Sequence, residues 1–213
     1  MSDRRTGSVL IAAIGLIGSF ATLSLTSDAL GAQSSSRHAA PEAVAIHPYT
    51  RQHFVCLEHP LGQLTRLGDA LGSDCVIVGL DSGARQKFPN FYRGRGAANA
   101  DWIGWKADVL APFDGVVDSV NINRTTNTPG SLGKERASVV IFRRADGLRV
   151  LYAHLQSISV NVGDSVRSGQ AFAKVGNDGA AYFPHTHIGS YKDGKPLQIR
   201  FDLSAMGSMS RAR

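Results

Sequence analysis

Two histidines one residue apart, His185 and His187, stand in the run Pro184-His185-Thr186-His187-Ile188-Gly189 near the C-terminus. Side chains at i and i+2 of an extended strand point to the same face, so an extended run here sets the two imidazoles side by side. A third histidine, His154, stands upstream in Tyr152-Ala153-His154-Leu155. Placed on a neighbouring strand, it would complete a cluster able to ligate a metal and to move protons near neutral pH. Paired histidines also occur on solvated strands, so the surrounding elements decide what this pair is.

Those elements read as β-structure. From Trp102 onward, short apolar runs alternate with turn signals: Val109-Leu110-Ala111-Pro112, Val116 to Val120, Ser138 to Phe142, Val150-Leu151-Tyr152, Ser157 to Val162, Ala171 to Val175 and His185 to Tyr191. Ala145-Asp146-Gly147 between two of them is a hairpin signal. Short, evenly spaced strands without helical periodicity predict an all-β fold, a barrel or sandwich. Upstream, Leu61, Leu64, Leu67 and Leu71 predict one short helix, followed by a strand at Cys75-Val76-Ile77-Val78.

The N-terminus carries Arg4 and Arg5, an apolar run from Val9 to Leu25, then small residues around Ala29, Gly31 and Ala32. This reads as an export signal over residues 1–32, the alternative being an uncleaved membrane anchor. Either reading predicts an exported protein, periplasmic or secreted. Residues 33–45 read as a polar linker, 46–93 as a small N-terminal extension, 94–203 as the main domain and 204–213 as a tail. Two cysteines, Cys56 and Cys75, are candidates for a disulfide in an oxidising compartment, and neither belongs to a CxxC pair of the kind that binds zinc. The net charge of +6 suits an anionic cell envelope. The basic residues are scattered without interleaved aromatics, so no nucleic-acid partner is expected.

The segment Val160-Asn161-Val162-Gly163-Asp164-Ser165-Val166-Arg167-Ser168-Gly169-Gln170 resembles the hybrid barrels of lipoyl and biotinyl carrier domains and of lysostaphin/LytM-type zinc endopeptidases. A carrier needs a modifiable lysine at a hairpin tip, and Lys174 lies inside a strand-like run. Ala111-Pro112-Phe113-Asp114-Gly115, Tyr152-Ala153-His154-Leu155, the segment above and Pro184-His185-Thr186-His187, in this order, make the chain similar to the lysostaphin/LytM family over residues 94–195. That family cuts peptide cross-links of bacterial peptidoglycan with a zinc-bound water. The resemblance implies a zinc ligand at His187 and a proton-handling pair at His154 and His185. It also implies a ligand at Asp101, from an H-x-G-x-D motif preceding the A-P-x-D-G turn.

In this motif Ala97 stands where the family has a ligand histidine. Three replacements are open: the Asn99 amide oxygen, one of His47, His53 or His59 folding back from the extension, or His154 or His185 giving up proton transfer. Tyr182, Trp102, Trp105 and Asn123 are candidates for the groove wall. Two functions follow from the resemblance. One is a zinc endopeptidase acting on peptidoglycan. The other is an inactive LytM-like module that binds peptidoglycan or regulates another cell-wall hydrolase.

Overall fold

The computed structural model describes residues 40–80 and 89–211. The expected export segment and residues 33–39 of the linker lie outside the described residues. The strands are β1 (Ala43–Ile46), β2 (Phe54–Glu58), β3 (Ser73–Ile77), β4 (Gly79–Leu80), β5 (Pro89–Asn90), β6 (Asp108–Leu110) and β7 (Gly115–Asn121). They continue with β8 (Val139–Arg143), β9 (Arg149–Ala153), β10 (Leu155–Gln156), β11 (Ser165–Val166), β12 (Ala171–Val175), β13 (Thr186–Lys192) and β14 (Lys195–Phe201). One α-helix, α1 (Leu203–Arg211), follows them.

The main sheet runs β1-β14-β13-β9-β8-β7-β11, with β3 added beside β13 and β2 beside β3. A second sheet, β10-β12-β6, faces it across the core. All pairings are antiparallel except β1 with β14. The all-β expectation therefore holds.

Alternation along β8, β9 and β13 sorts their residues onto two faces. Val140, Phe142, Val150, Tyr152 and Ile188 point into the core, where Phe142 and Phe172 pack edge to face. Val139, Ile141, Leu151 and Ala153 point the other way and form a smaller apolar cluster of their own. His187 sits opposite Ala153, which sits opposite Val139, so the histidine shares this second face. The Asp193-Gly194 turn joins β13 to β14 with both φ angles positive, as tight hairpins require.

The N-terminal part differs from expectation. Residues 61–71 form turns rather than a helix, with positive φ at Gly62, Gly68 and Leu71 interrupting any helical run. The expected linker ends early, because Ala43–Ile46 is already strand β1 on the edge of the main sheet. Nor is 46–93 a separate extension: Ile46, Tyr49, Cys75 and Ile77 belong to the principal core. The tail expected at 204–213 contains most of α1.

Candidate metal centre and active site

Strand β3 pairs with β13 over three residues, in a register that sets Asp74 directly opposite His187. The Asp74 carboxylate accepts from His187 Nδ1 at 2.8 Å, and His185 Nε2 lies 3.6 Å from the same oxygen. The other carboxylate oxygen of Asp74 lies 3.4 Å from His59 Nε2. His59 follows β2 directly, and its N–H donates to Gly72 O at 2.8 Å across the base of the loop. His154 closes the group, its ring centroid 4.6 Å from that of His185 and 6.4 Å from that of His187. It takes a left-handed backbone, φ 62°, in the one-residue break between β9 and β10. Four imidazoles and one carboxylate thus converge on the second face of the sheet.

The hydrogen bonds on the far side of each ring state which nitrogen is left for chemistry. His154 Nδ1–H donates to Asp178 O at 2.8 Å, and His185 Nδ1–H donates to Phe183 O at 2.8 Å. His59 Nδ1–H donates to Gln63 Oε1 at 3.2 Å. A backbone carbonyl can only accept, so the neutral His154 and His185 rings keep their proton on Nδ1 and offer the Nε2 lone pair to the cluster. His187 is reversed: Nε2–H donates to Gly68 O at 3.3 Å, with Asp69 at 3.6 Å, and Nδ1 faces Asp74. Backing of this kind by carbonyls and carboxylates fixes the ring of a metal-ligating histidine.

Ligand atoms of His59, Asp74 and His187 lie within 4.8 Å of one another. Zinc with bonds of about 2.0–2.2 Å spaces tetrahedral ligands roughly 3.3–3.6 Å apart, so modest side-chain adjustment suffices. Two imidazoles and a carboxylate form a donor set that fits catalytic zinc. With a proton on Nδ1, the His187–Asp74 contact is an ion pair; with a metal in its place, the two become neighbouring ligands.

The electrostatics agree with this geometry. Burial pushes the Asp74 carboxyl up, but His185 and His187 outweigh it and hold the group well below the usual carboxylate range. Burial pulls His187 down, yet Asp74, Asp69 and Gly68 O together raise it above the ordinary histidine value. Burial holds His154 below that value, with Asp178 opposing and the neighbouring histidines reinforcing the shift. His154 is thus kept as a neutral base.

Asp101 and Asn99 are used differently from the expectation. Asp101 lies in a 3-10 turn and spends its carboxylate on the Ala98 N–H at 3.0 Å. Asn99 donates to Asn127 O at 2.7 Å and accepts from Asn177 at 2.8 Å, so its amide is a strut between loops. Neither residue lines the groove, and Ala97 is exposed. His47 Nδ1–H donates to Pro48 O, and His53 is exposed beside Met206. Of the three histidines considered as replacements, His59 is the one brought to the cluster. Asp74 and Asp69 were not anticipated. For Asp74 the available signal was its place immediately before Cys75.

A groove of about 540 Å³ opens in front of the cluster. Its floor is Val139, Ile141, Leu151 and Ala153, and Arg66, Arg136 and Tyr182 line it as well. Trp102 supports the wall indirectly by stacking on Phe183 at 4.8 Å, while Trp105 and Asn123 do not line it.

The all-β domain thus carries a histidine–carboxylate cluster on a face of its main sheet. Residues 102–199 match the model of peptidase family M23. An uncharacterized metalloprotease of Haemophilus influenzae is 29% identical over 108 residues, covering 49% of this chain and 21% of that protein. The chain thus spans about a fifth of that relative's length. The catalytic domain of a prophage-encoded M23 protein from Enterococcus faecalis is 21% identical, with TM-score 0.44 over 71% of this chain and 93% of that one. The catalytic domain of lysostaphin from Staphylococcus simulans is 18% identical, with TM-score 0.37 over 79% and 90%.

Proposed function

We propose that this protein is an exported zinc endopeptidase that cuts peptide cross-links of peptidoglycan, with His59, Asp74 and His187 as zinc ligands. The observation that carries the reading is the convergence of His59, His185 and His187 on Asp74, with His154 against His185. Supporting it are the M23 match, the Cys56–Cys75 disulfide, which suits an oxidising compartment, and the basic surface, which suits an anionic wall.

Bound zinc would acidify a water and polarise the scissile carbonyl. Residues of the chain do the rest. His154 Nε2, neutral and buried, takes the proton of the attacking water and delivers it to the leaving amine, and His185, in its imidazolium form beside Asp74, donates from Nε2 to the developing oxyanion. Asp178 O and Phe183 O accept from the Nδ1–H of these two rings and so leave each Nε2 for the reacting groups. The apolar floor excludes water from the bound peptide, and Arg66 and Arg136 offer partners for its carboxylates.

Metal analysis and digestion of cross-linked muropeptides with and without chelator test the reading. Expected are one zinc per chain and chelator-sensitive cleavage, both lost in His59→Ala and His187→Ala. Wall binding that is insensitive to chelator, with no zinc and no cleavage, would establish the inactive-module reading instead.

A further inference from the structure

We infer that the Cys56–Cys75 disulfide is a positioning device for the metal centre, selecting the strand register that brings His59 to Asp74. The inference rests on the metal-centre reading above and goes beyond it by assigning the bridge a role in metal affinity.

The bridge joins β2 to β3 at directly opposed residues. Both proposed ligands of this hairpin flank it, His59 three residues after Cys56 and Asp74 immediately before Cys75. β3 is anchored to the sheet by its pairing with β13, so Asp74 is placed by the fold. His59 is placed through β2, which pairs with β3 alone, and by its own bonds to Gly72 and Gln63.

The hydrophobic pattern specifies the register of β2 poorly. Strand register is strongly set where one face is apolar and the other polar, because a one-residue slip exchanges the faces. In Phe54–Glu58 one face carries Phe54 and Cys56, and the other carries Val55 and Leu57, which are 37% and 68% exposed. A slip exchanges apolar for apolar, and it is opposed by Phe54, which packs 4.9 Å from Tyr49 and from Phe201, and by Glu58, which is bonded to Arg200 and Gln198. It would turn the chain entering His59 over and carry the imidazole away from Asp74.

The loop beyond offers little further restraint. Residues 60–67 are largely exposed, and Leu61 and Leu64 form an isolated bridge. His59 itself is tied by its N–H to Gly72 O and by Nδ1–H to Gln63 on an exposed turn. The disulfide is thus the one covalent restraint on a pairing otherwise held by Phe54 and Glu58 at the two ends of β2. At the loop's far end, Gly68 O lies against Gly189 of β13, where no side chain would fit, so that end is seated on the sheet independently of β2.

The test is the Cys56→Ala/Cys75→Ala double variant, compared with the purified wild type whose bridge is confirmed by mass. Circular dichroism establishes folding, competition titration against a chromophoric chelator gives the zinc Kd, and the visible spectrum of the cobalt-substituted protein reports the ligand set. The expected result is a folded protein whose zinc Kd is about ten- to a hundredfold weaker, the scale on which groups supporting a metal act. Its cobalt spectrum should match that of His59→Ala. If the double variant does not fold, Cys56→Ala alone, which keeps the buried Cys75 sulfur, is read in the same way. A folded variant with wild-type Kd and cobalt spectrum overturns the inference, leaving the metal-centre reading intact. Loss of folding in both variants also overturns it, because the bridge then serves the whole fold. A wild type that binds no zinc overturns the metal-centre reading and this inference with it.

Discussion

Replacing Gly72 by alanine adds one methyl group against the back of His187. An alanine Cβ there would lie 2.9 Å from His187 Cε1, 2.9 Å from its Nε2 and 2.9 Å from Asp69 O, against an ordinary contact of 3.4–4 Å. The imidazole must therefore retreat by roughly 0.5–1 Å, yet it is held by Asp74 on one side and Gly68 O on the other. Overpacking of this kind costs about 1–3 kcal/mol. The loss of backbone freedom in the unfolded chain returns about 0.4–1 kcal/mol, leaving a net destabilisation of about 1–2 kcal/mol. Metal–ligand distances tolerate only about 0.2 Å, so the zinc Kd should weaken by about ten- to a hundredfold. Urea unfolding gives the stability and competition titration the affinity. Gly207→Ala, in α1 with nothing within 4 Å of the added Cβ, serves as the control and should be neutral or stabilising. A Gly72→Ala protein with wild-type midpoint and wild-type Kd would refute the placement of His187 against this loop.

Ala97→His should leave zinc affinity unchanged, because residue 97 is exposed and does not line the groove; a tightened Kd in the same titration would return the ligand role to this segment. Asn99→Ala should cost about 1–3 kcal/mol in urea unfolding, since it strips partners from Asn177 and Asn127, while zinc affinity stays at the wild-type value. Asp118 receives bonds from Arg149 at 2.8 Å and Arg143 at 3.0 Å, which hold its carboxyl below the ordinary value. The unfolded chain therefore binds its proton first as pH falls: the stabilisation is complete above the unfolded value of about 3.9 and vanishes below the folded one. Because these groups are partly exposed, Asp118→Asn should cost less than about 1 kcal/mol at neutral pH. Urea midpoints across the acid range should show that gap closing below about pH 4.

Much of this molecule was legible in local pattern. Period-two alternation in Val139–Arg143, Arg149–Ala153 and Thr186–Lys192 announced strands, because a pleated backbone sends successive side chains to opposite faces. The same geometry predicted that His185 and His187 would meet, and both do approach Asp74. Tertiary structure decided the partners. The His187–Asp74 pair spans 113 residues of sequence, and its existence depends on the register between β3 and β13, which no local period encodes. The leucines of 61–71 suggested a helix by spacing, but glycines at positive φ and the seating of Gly68 against Gly189 hold that stretch as a loop. Asp101 had the right residue type in a motif-like position, yet a short-range bond to the Ala98 N–H takes its carboxylate out of the cluster. Residue types and spacings determined which groups are able to ligate and to carry protons. Which of them share a site was decided by long-range strand pairing, because ligation requires donor atoms within a few ångströms and chain proximity does not ensure that.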